Sequence, residues 1–304
     1  LNIIRVANGS LAGDRVLAST KSVICAARTP PVAKAKFQKR KGARQVKDFE
    51  RAKAMADGSL TPESATLYRA LSARGNFLAQ DRVDVAFSSK ELCREFAVPN
   101  EVSFGKLKRL GRYCVGRPRL VYHFPFQNPA EYIDTYVDTD FAGCAVTRRS
   151  TSGGVSTIGS CCVKHWSKTQ STIALSSGEA ELGGIAYGAA QALGLQSVCR
   201  DLGMNLKVRI HSDATAAIGI VKRRGLGRIR HLATADLWIQ EKVRCGHIEI
   251  LKILGKDNPA DVLTKYVDKS TMENALQKLS MSFEEGRSAI APQIMGKPEP
   301  ENTS

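Results

Sequence analysis

The chain has 304 residues, 43% of them hydrophobic, which is enough for one large domain or two modest ones with a sizeable core. Lys and Arg number 45 against 29 Asp and Glu, a formal charge of +16, and that excess points to a polyanionic partner, most simply nucleic acid. The eight cysteines form no C-x-x-C pair, which argues against a zinc site and for reduced thiols in an intracellular setting, not a secreted one. No apolar run approaches the roughly 18 residues of a membrane span, so no membrane partner is expected.

Residues 1–56 have few periodic apolar positions and a dense basic run, Lys34 to Arg44, after Thr29-Pro30-Pro31. They read as a weakly ordered basic arm able to touch phosphates without sequence preference, or as a merely solvated charge run. The composition is also similar to that of a transit peptide, with a basic linker the preferred reading. The start at Leu1 fits a fragment of a longer protein.

Residues 57–126 read as a small basic helical bundle. Thr61-Pro62 is a helix start, with Thr at the N-cap and Pro at the first helical position. A second helix is predicted from Val85 to Ala97. A third starts at Ser103, places Phe104, Leu107, Leu110 and Cys114 on one face, and ends at Arg117-Pro118. Lys106, Lys108, Arg109 and Arg112 on its other faces suit a nucleic-acid backbone, or simply water. A short strand, Leu120 to Phe124, leads to a linker-like boundary at Pro125–Pro129.

Residues 130–283 carry the next region. From Ile133 to Asp138, apolar and polar residues alternate with the period of a half-buried strand. That strand runs into an acidic tip, Asp138-Thr139-Asp140, where a buried carboxylate needs a positive partner. Ser152–Gly159 and Cys161–Ser167 read as two further strands of an antiparallel meander, with turns at 151–154 and 159–160. Ser176 and Glu179 form a capping-box pattern that opens a long helix, with Glu181 in its first turns. A strand from Leu206 ends at Ser212-Asp213, and a helix from Ala214 to Lys222 follows. A basic, glycine-rich loop with Arg223, Arg224, Arg228, Arg230 and His231 comes next, then a helix to Arg244 and a strand from His247 to Ile253. Asn258-Pro259-Ala260-Asp261 begins another helix, and a last one spans 270–281. Residues 284–304 read as a disordered polar tail.

Four acids then stand at strand ends and helix starts: Asp138, Glu181, Asp213 and Asp261. Such positions meet at one edge of a mixed sheet. Four carboxylates together cannot all ionise without counter-charge, and two divalent cations would supply it. Hard oxygen donors favour Mg²⁺ or Mn²⁺ over zinc, and such a pair suits phosphodiester hydrolysis.

These elements carry a resemblance. Tyr136-Val-Asp-Thr-Asp-Phe-Ala-Gly-Cys144, Thr147-Arg-Arg-Ser-Thr-Ser-Gly-Gly154, Ser176-Ser-Gly-Glu-Ala-Glu-Leu182, His211-Ser-Asp213, Arg230-His231 and Ala260-Asp-Val-Leu-Thr-Lys265 are together highly specific. Over about residues 131–268 the chain resembles the ribonuclease H domain of copia-type LTR retrotransposon Pol polyproteins. The resemblance implies an α/β fold, ribonuclease H-like, with a five-stranded mixed sheet flanked by helices. It also implies cleavage of the RNA strand of an RNA–DNA hybrid, with Asp138, Glu181, Asp213 and Asp261 holding two Mg²⁺ or Mn²⁺ ions and no small-molecule cofactor. Arg148, Arg149 and the 222–230 loop would join the basic helix in holding the duplex. The rest of the polyprotein would be a partner, in a cytoplasmic particle or the nucleus.

Residues 66–124 resemble the end of the reverse transcriptase of such a polyprotein, with Arg82-Val83-Asp84 where the family usually has Arg-Pro-Asp. No polymerase palm accompanies it, so no polymerase activity is expected of this chain. The loop before Asp261 lacks the His that many ribonucleases H place there. Lys256, Asn258 or His231 is the candidate helper. Two rival readings are a decayed or co-opted remnant that binds nucleic acid without cutting, and another nuclease or transposase on the same fold.

Overall fold

The computed structural model describes residue 58, residues 60–225 and residues 234–286. The basic arm, the loop carrying Arg228, Arg230 and His231, and the chain beyond 286 lie outside the described residues.

Helix α1, Pro62–Leu78, starts where its sequence predicts, with the Thr61 hydroxyl accepting from the Ser64 N–H at 3.3 Å and Pro62 in the first turn. Helix α2 spans Val83–Cys93 and α3 spans Glu101–Gly116. A reciprocal capping box opens α3: Asn100 Oδ1 accepts from Ser103 N–H at 3.0 Å, and Ser103 Oγ accepts from Asn100 N–H at 3.1 Å. The α2 helix stops before the expected Ala97. Arg69 donates to the carbonyls of Phe96 at 2.8 Å and Ala97 at 3.3 Å, holding that stretch in a non-helical path. Tyr68, Leu92, Phe104 and Leu107 form a cluster among the three helices.

Strand β1, Arg119–Tyr122, is followed by the sheet strands β2, Tyr132–Asp140, β3, Thr151–Ile158, and β4, Cys161–Thr169. Helix α4 runs over Ser177–Asp201, β5 over Lys207–Ser212, α5 over Thr215–Lys222, α6 over Thr234–Arg244 and β6 over Ile248–Lys252. Two short 3₁₀ helices, Gly255–Asp257 and Pro259–Leu263, precede α7, Lys269–Lys278, and β7, Met281–Glu284. The five-stranded sheet has the order β4-β3-β2-β5-β6. β2, β3 and β4 form the expected antiparallel meander, whereas β5 and β6 join in parallel after helical crossovers. An α/β architecture with a mixed five-stranded sheet flanked by helices is therefore present, compatible with a ribonuclease H-like fold.

Helices α4, α5 and α6 cover one side, with Val137, Leu182, Ile185, Ile210, Ile218 and Ile239 in one apolar cluster. A second cluster joins Val83 and Val85 of α2 to Val155 and Cys162 of the sheet and to Val262, Leu263 and Leu276 near the C-terminal end. The early helices therefore share a core with the sheet.

Several local expectations change. The segment 151–154 belongs to β3, not to a turn. The helix expected at Asn258–Asp261 is a 3₁₀ turn, capped by Asn258 Oδ1 accepting from Ala260 N–H at 3.1 Å. The last helix ends at Lys278, and Ser280 at φ 55° turns the chain into β7. β7 then pairs antiparallel with β1, Arg119 opposite Glu284.

Candidate metal centre

Asp138 lies near the end of β2 and is 6% exposed. Its cross-strand partner is Gly153. A Cβ on Gly153 would come within 2.7 Å of Leu263 Cβ and Thr264 Cγ2, so the missing side chain lets the second 3₁₀ helix press against the sheet. Further bonds hold that helix. Asn258 Nδ2 donates to the Val137 carbonyl at 2.8 Å, and Ser167 Oγ donates to the Leu263 carbonyl at 2.6 Å. Fully buried Thr264 donates its hydroxyl to Asp138.

Glu181 arrives from the other side. The Ser176 hydroxyl caps α4 by accepting from Glu179 N–H at 3.2 Å. Glu179 reaches back one residue further than a capping box requires, accepting from Leu175 N–H at 2.7 Å. Gly184 and Gly188 bring α4 close to β2: a Cβ at either would fall 2.4 Å from Thr139 Oγ1 or Val137 Cγ1. One turn earlier, Glu181 is therefore drawn against the end of β2, 7% exposed, with Oε2 lacking any hydrogen-bond partner. Asp213 follows β5 and faces Gly255, where a Cβ would stand 2.9 Å from Asp213 Oδ2.

Asp138, Glu181 and Asp213 each offer an oxygen within 4.8 Å of the others, and no other His, Cys, Asp or Glu trio among the described residues has that spacing. Burial, together with the charges of Asp138 and Asp213, pushes the Glu181 carboxyl up to about 8. Burial and the charges of Asp261 and Asp213 push Asp138 up to about 6, against the pull of the Thr264 hydroxyl and Lys265. Asp261 stands beside this trio. Its Oδ2 lies 2.9 Å from Lys265 Nζ, and its charge acts on Asp138. A buried all-carboxylate set with an orphaned oxygen is a fit for a hard divalent cation.

The other candidates fall elsewhere. Asp140 folds back over the Ala142-Gly143 turn, where a Gly143 Cβ would overlap its carboxylate. Asn258 bonds the Val137 carbonyl and the Ala260 N–H, and Lys256 is exposed. His211 bonds Asp134 at 2.8 Å and stacks on Tyr136. Arg109, Arg112, Arg148, Arg149 and Arg224 are exposed. Lys106 pairs with Glu95 at 2.5 Å, and Lys108 lies over the Phe104 ring. Arg223 is partly buried. Thr264, Lys265, Gly153 and Gly184 received no individual role from the sequence, although the first two stand in the quoted motif around Asp261.

No helix among the described residues is long and apolar enough to cross a membrane. No family model matches the chain. The chain is similar to a retrovirus-related Pol polyprotein from transposon TNT 1-94 of Nicotiana tabacum, 28% identical over 202 residues, which are 66% of this chain and 15% of that protein. A retrovirus-related Pol polyprotein from transposon RE1 of Arabidopsis thaliana is 26% identical over 220 residues, 71% of this chain and again 15% of the relative. An uncharacterized mitochondrial protein of Arabidopsis thaliana is 32% identical over 127 residues, 41% of this chain and 51% of that protein. The chain thus spans a small part of the Pol proteins it matches. These relatives agree with the copia-type resemblance carried by the acid motifs, and the chain is a homologue of retrovirus-related Pol polyproteins of plant transposons.

Proposed function

We propose that the acid cluster is the centre of a ribonuclease H that hydrolyses the RNA strand of an RNA–DNA hybrid. The observation that carries this reading is the convergence of Asp138, Glu181 and Asp213 with a buried Glu181 oxygen that has no partner. The kinship with Pol polyproteins and the motif positions support the choice of substrate.

Asp138, Glu181 and Asp213 would hold one Mg²⁺ or Mn²⁺, and Asp138 with Asp261 a second. Such a pair supplies Lewis acidity toward the scissile phosphate and eases loss of a proton from the attacking water. The chain's own part is positional. Thr264 fixes the Asp138 carboxylate, while Gly153 and Asn258 hold the 3₁₀ helix that carries Asp261 against the sheet. Gly184 sets the depth of Glu181. The exposed guanidinium groups of Arg109, Arg112, Arg148, Arg149 and Arg224 would bind duplex phosphates, with Lys106, Lys108 and Arg223 nearby.

Asp138→Asn tests the assignment on labelled RNA–DNA hybrid, RNA duplex and DNA duplex, each with Mg²⁺ and with chelator. The expected outcome is cation-dependent cutting of the hybrid by the parent chain, lost by about a thousandfold or more in the variant, with hybrid binding kept. Cutting retained by the variant sinks the assignment. Binding without cutting by the parent chain makes it a nucleic-acid-binding remnant.

A further inference from the structure

The acid cluster already faces one cation, and the chain itself supplies it. Lys265 follows the second 3₁₀ helix, and its Nζ lies 2.9 Å from Asp261 Oδ2. Its charge also acts on Asp138 and Asp140. Its neighbour Thr264 bonds Asp138, so two consecutive residues address two different acids. They differ in freedom. Thr264 is fully buried, whereas the Lys265 side chain is 48% exposed on a flexible stem. Lys265 also lines a cavity of about 580 Å³ shared with Lys106, Arg109 and Tyr266. An ammonium group released from Asp261 therefore has room to turn into, in a cavity whose lining also includes the carboxylates of Asp268 and Glu273.

We propose that Lys265 is a built-in counter-charge that competes with divalent cations for Asp261 and is displaced into the adjoining cavity when a cation binds. The inference rests on the proposed metal centre. It gives the site a reason to hold four acids together without collapse, and it makes cation binding weaker than four carboxylates alone would give.

The test is Mn²⁺ titration calorimetry and thermal melting on the full chain, without nucleic acid, for the parent, Lys265→Met, Lys265→Arg and Asp138→Asn. A unit charge several ångströms from a divalent ion in near-aqueous surroundings is worth about tenfold in affinity. Lys265→Met should therefore bind Mn²⁺ about tenfold more tightly than the parent, melt lower in chelator and gain more from added Mn²⁺. Lys265→Arg, which keeps the charge, should bind no more tightly than the parent. Equal or weaker Mn²⁺ binding by Lys265→Met, with binding lost in Asp138→Asn, overturns the role of Lys265 and leaves the metal centre standing. No Mn²⁺ binding by the parent or by Lys265→Met overturns both.

Discussion

Asp84 and Asp138 are buried to the same depth, 7% and 6% exposed, and the chain treats them in opposite ways. Asp84 is fully provided for. Arg82 grips both its oxygens, at 2.8 and 2.6 Å, and the Tyr113 hydroxyl donates to it at 2.8 Å. The remaining Arg82 donors reach the carbonyls of Pro118 at 3.3 Å and Arg117 at 3.0 Å, which ties α2 to the end of α3. Asp138 has the Thr264 hydroxyl and the charge of Lys265, which is itself paired with Asp261, and otherwise faces other acids. A buried acid with its own guanidinium and phenol is architecture. A buried acid turned toward other acids leaves an electrostatic demand that the fold meets only in part, through Lys265, and that demand is what makes the site a candidate for chemistry.

The contrast can be broken most severely at Arg82. Arg82→Met strands Asp84 without its cation, and chemical denaturation should show a loss of about 3–5 kcal/mol, indifferent to Mg²⁺ or Mn²⁺. A loss under about 1 kcal/mol would make Asp84 and Asp138 equivalent after all.

Glu181→Gln sharpens the contrast with the opposite sign. The folded state holds Glu181 at about 8 and Asp138 at about 6, both above their ordinary values of 4.5 and 3.8. Between the ordinary and raised values the folded chain binds more protons than the unfolded one. Stability in chelator should therefore fall as pH rises from about 4 to about 8 and level off above. Removing the Glu181 charge should take away most of that slope and raise stability at pH 8 by on the order of 3 kcal/mol. Melting curves in chelator across this range check it, and a flat profile in the parent chain would contradict it. The variant should gain less from added cation than the parent.

Gly153→Ala is the mildest of the three. It forces the second 3₁₀ helix off the sheet at a cost of about 1–3 kcal/mol in denaturant melts. Its loss of Mn²⁺ affinity should exceed that of an equally destabilised variant remote from the acids, because Thr264 and Asp261 move together. Unchanged affinity would mean that this helix does not set the geometry of the site.

Much of this is legible in the sequence alone. Local rules found α1, with its Thr61 cap and Pro62, and period-two alternation found β2. Short glycine turns and strand-helix order pointed to acids meeting at one sheet edge, and Asp138, Glu181 and Asp213 do come together. What escaped was set by distance. Gly153 reads as a turn glycine, and only the approach of Leu263 and Thr264, more than 100 residues later, gives it another purpose. β7 is four residues long and owes its conformation to β1, which lies far upstream. The α2 end is decided by Arg69, a side chain on another helix. Lys265 stood in a quoted motif, yet its partner Asp261 one turn earlier is a generic helix pairing until Asp138 is seen beside both.

The pairing of β1 with β7 bears on how this region would behave inside a longer chain. One strand comes before the five-stranded sheet and the other after it, so a single ladder joins the segment after α3 to the C-terminal end of the described fold. The exposed stretch around Pro125 and Phe126 is then a covalent tie between parts already fastened to each other by the ladder and by the core shared with α2. A protease that nicked the chain there would change its molecular weight under denaturing conditions and leave the acids where they were.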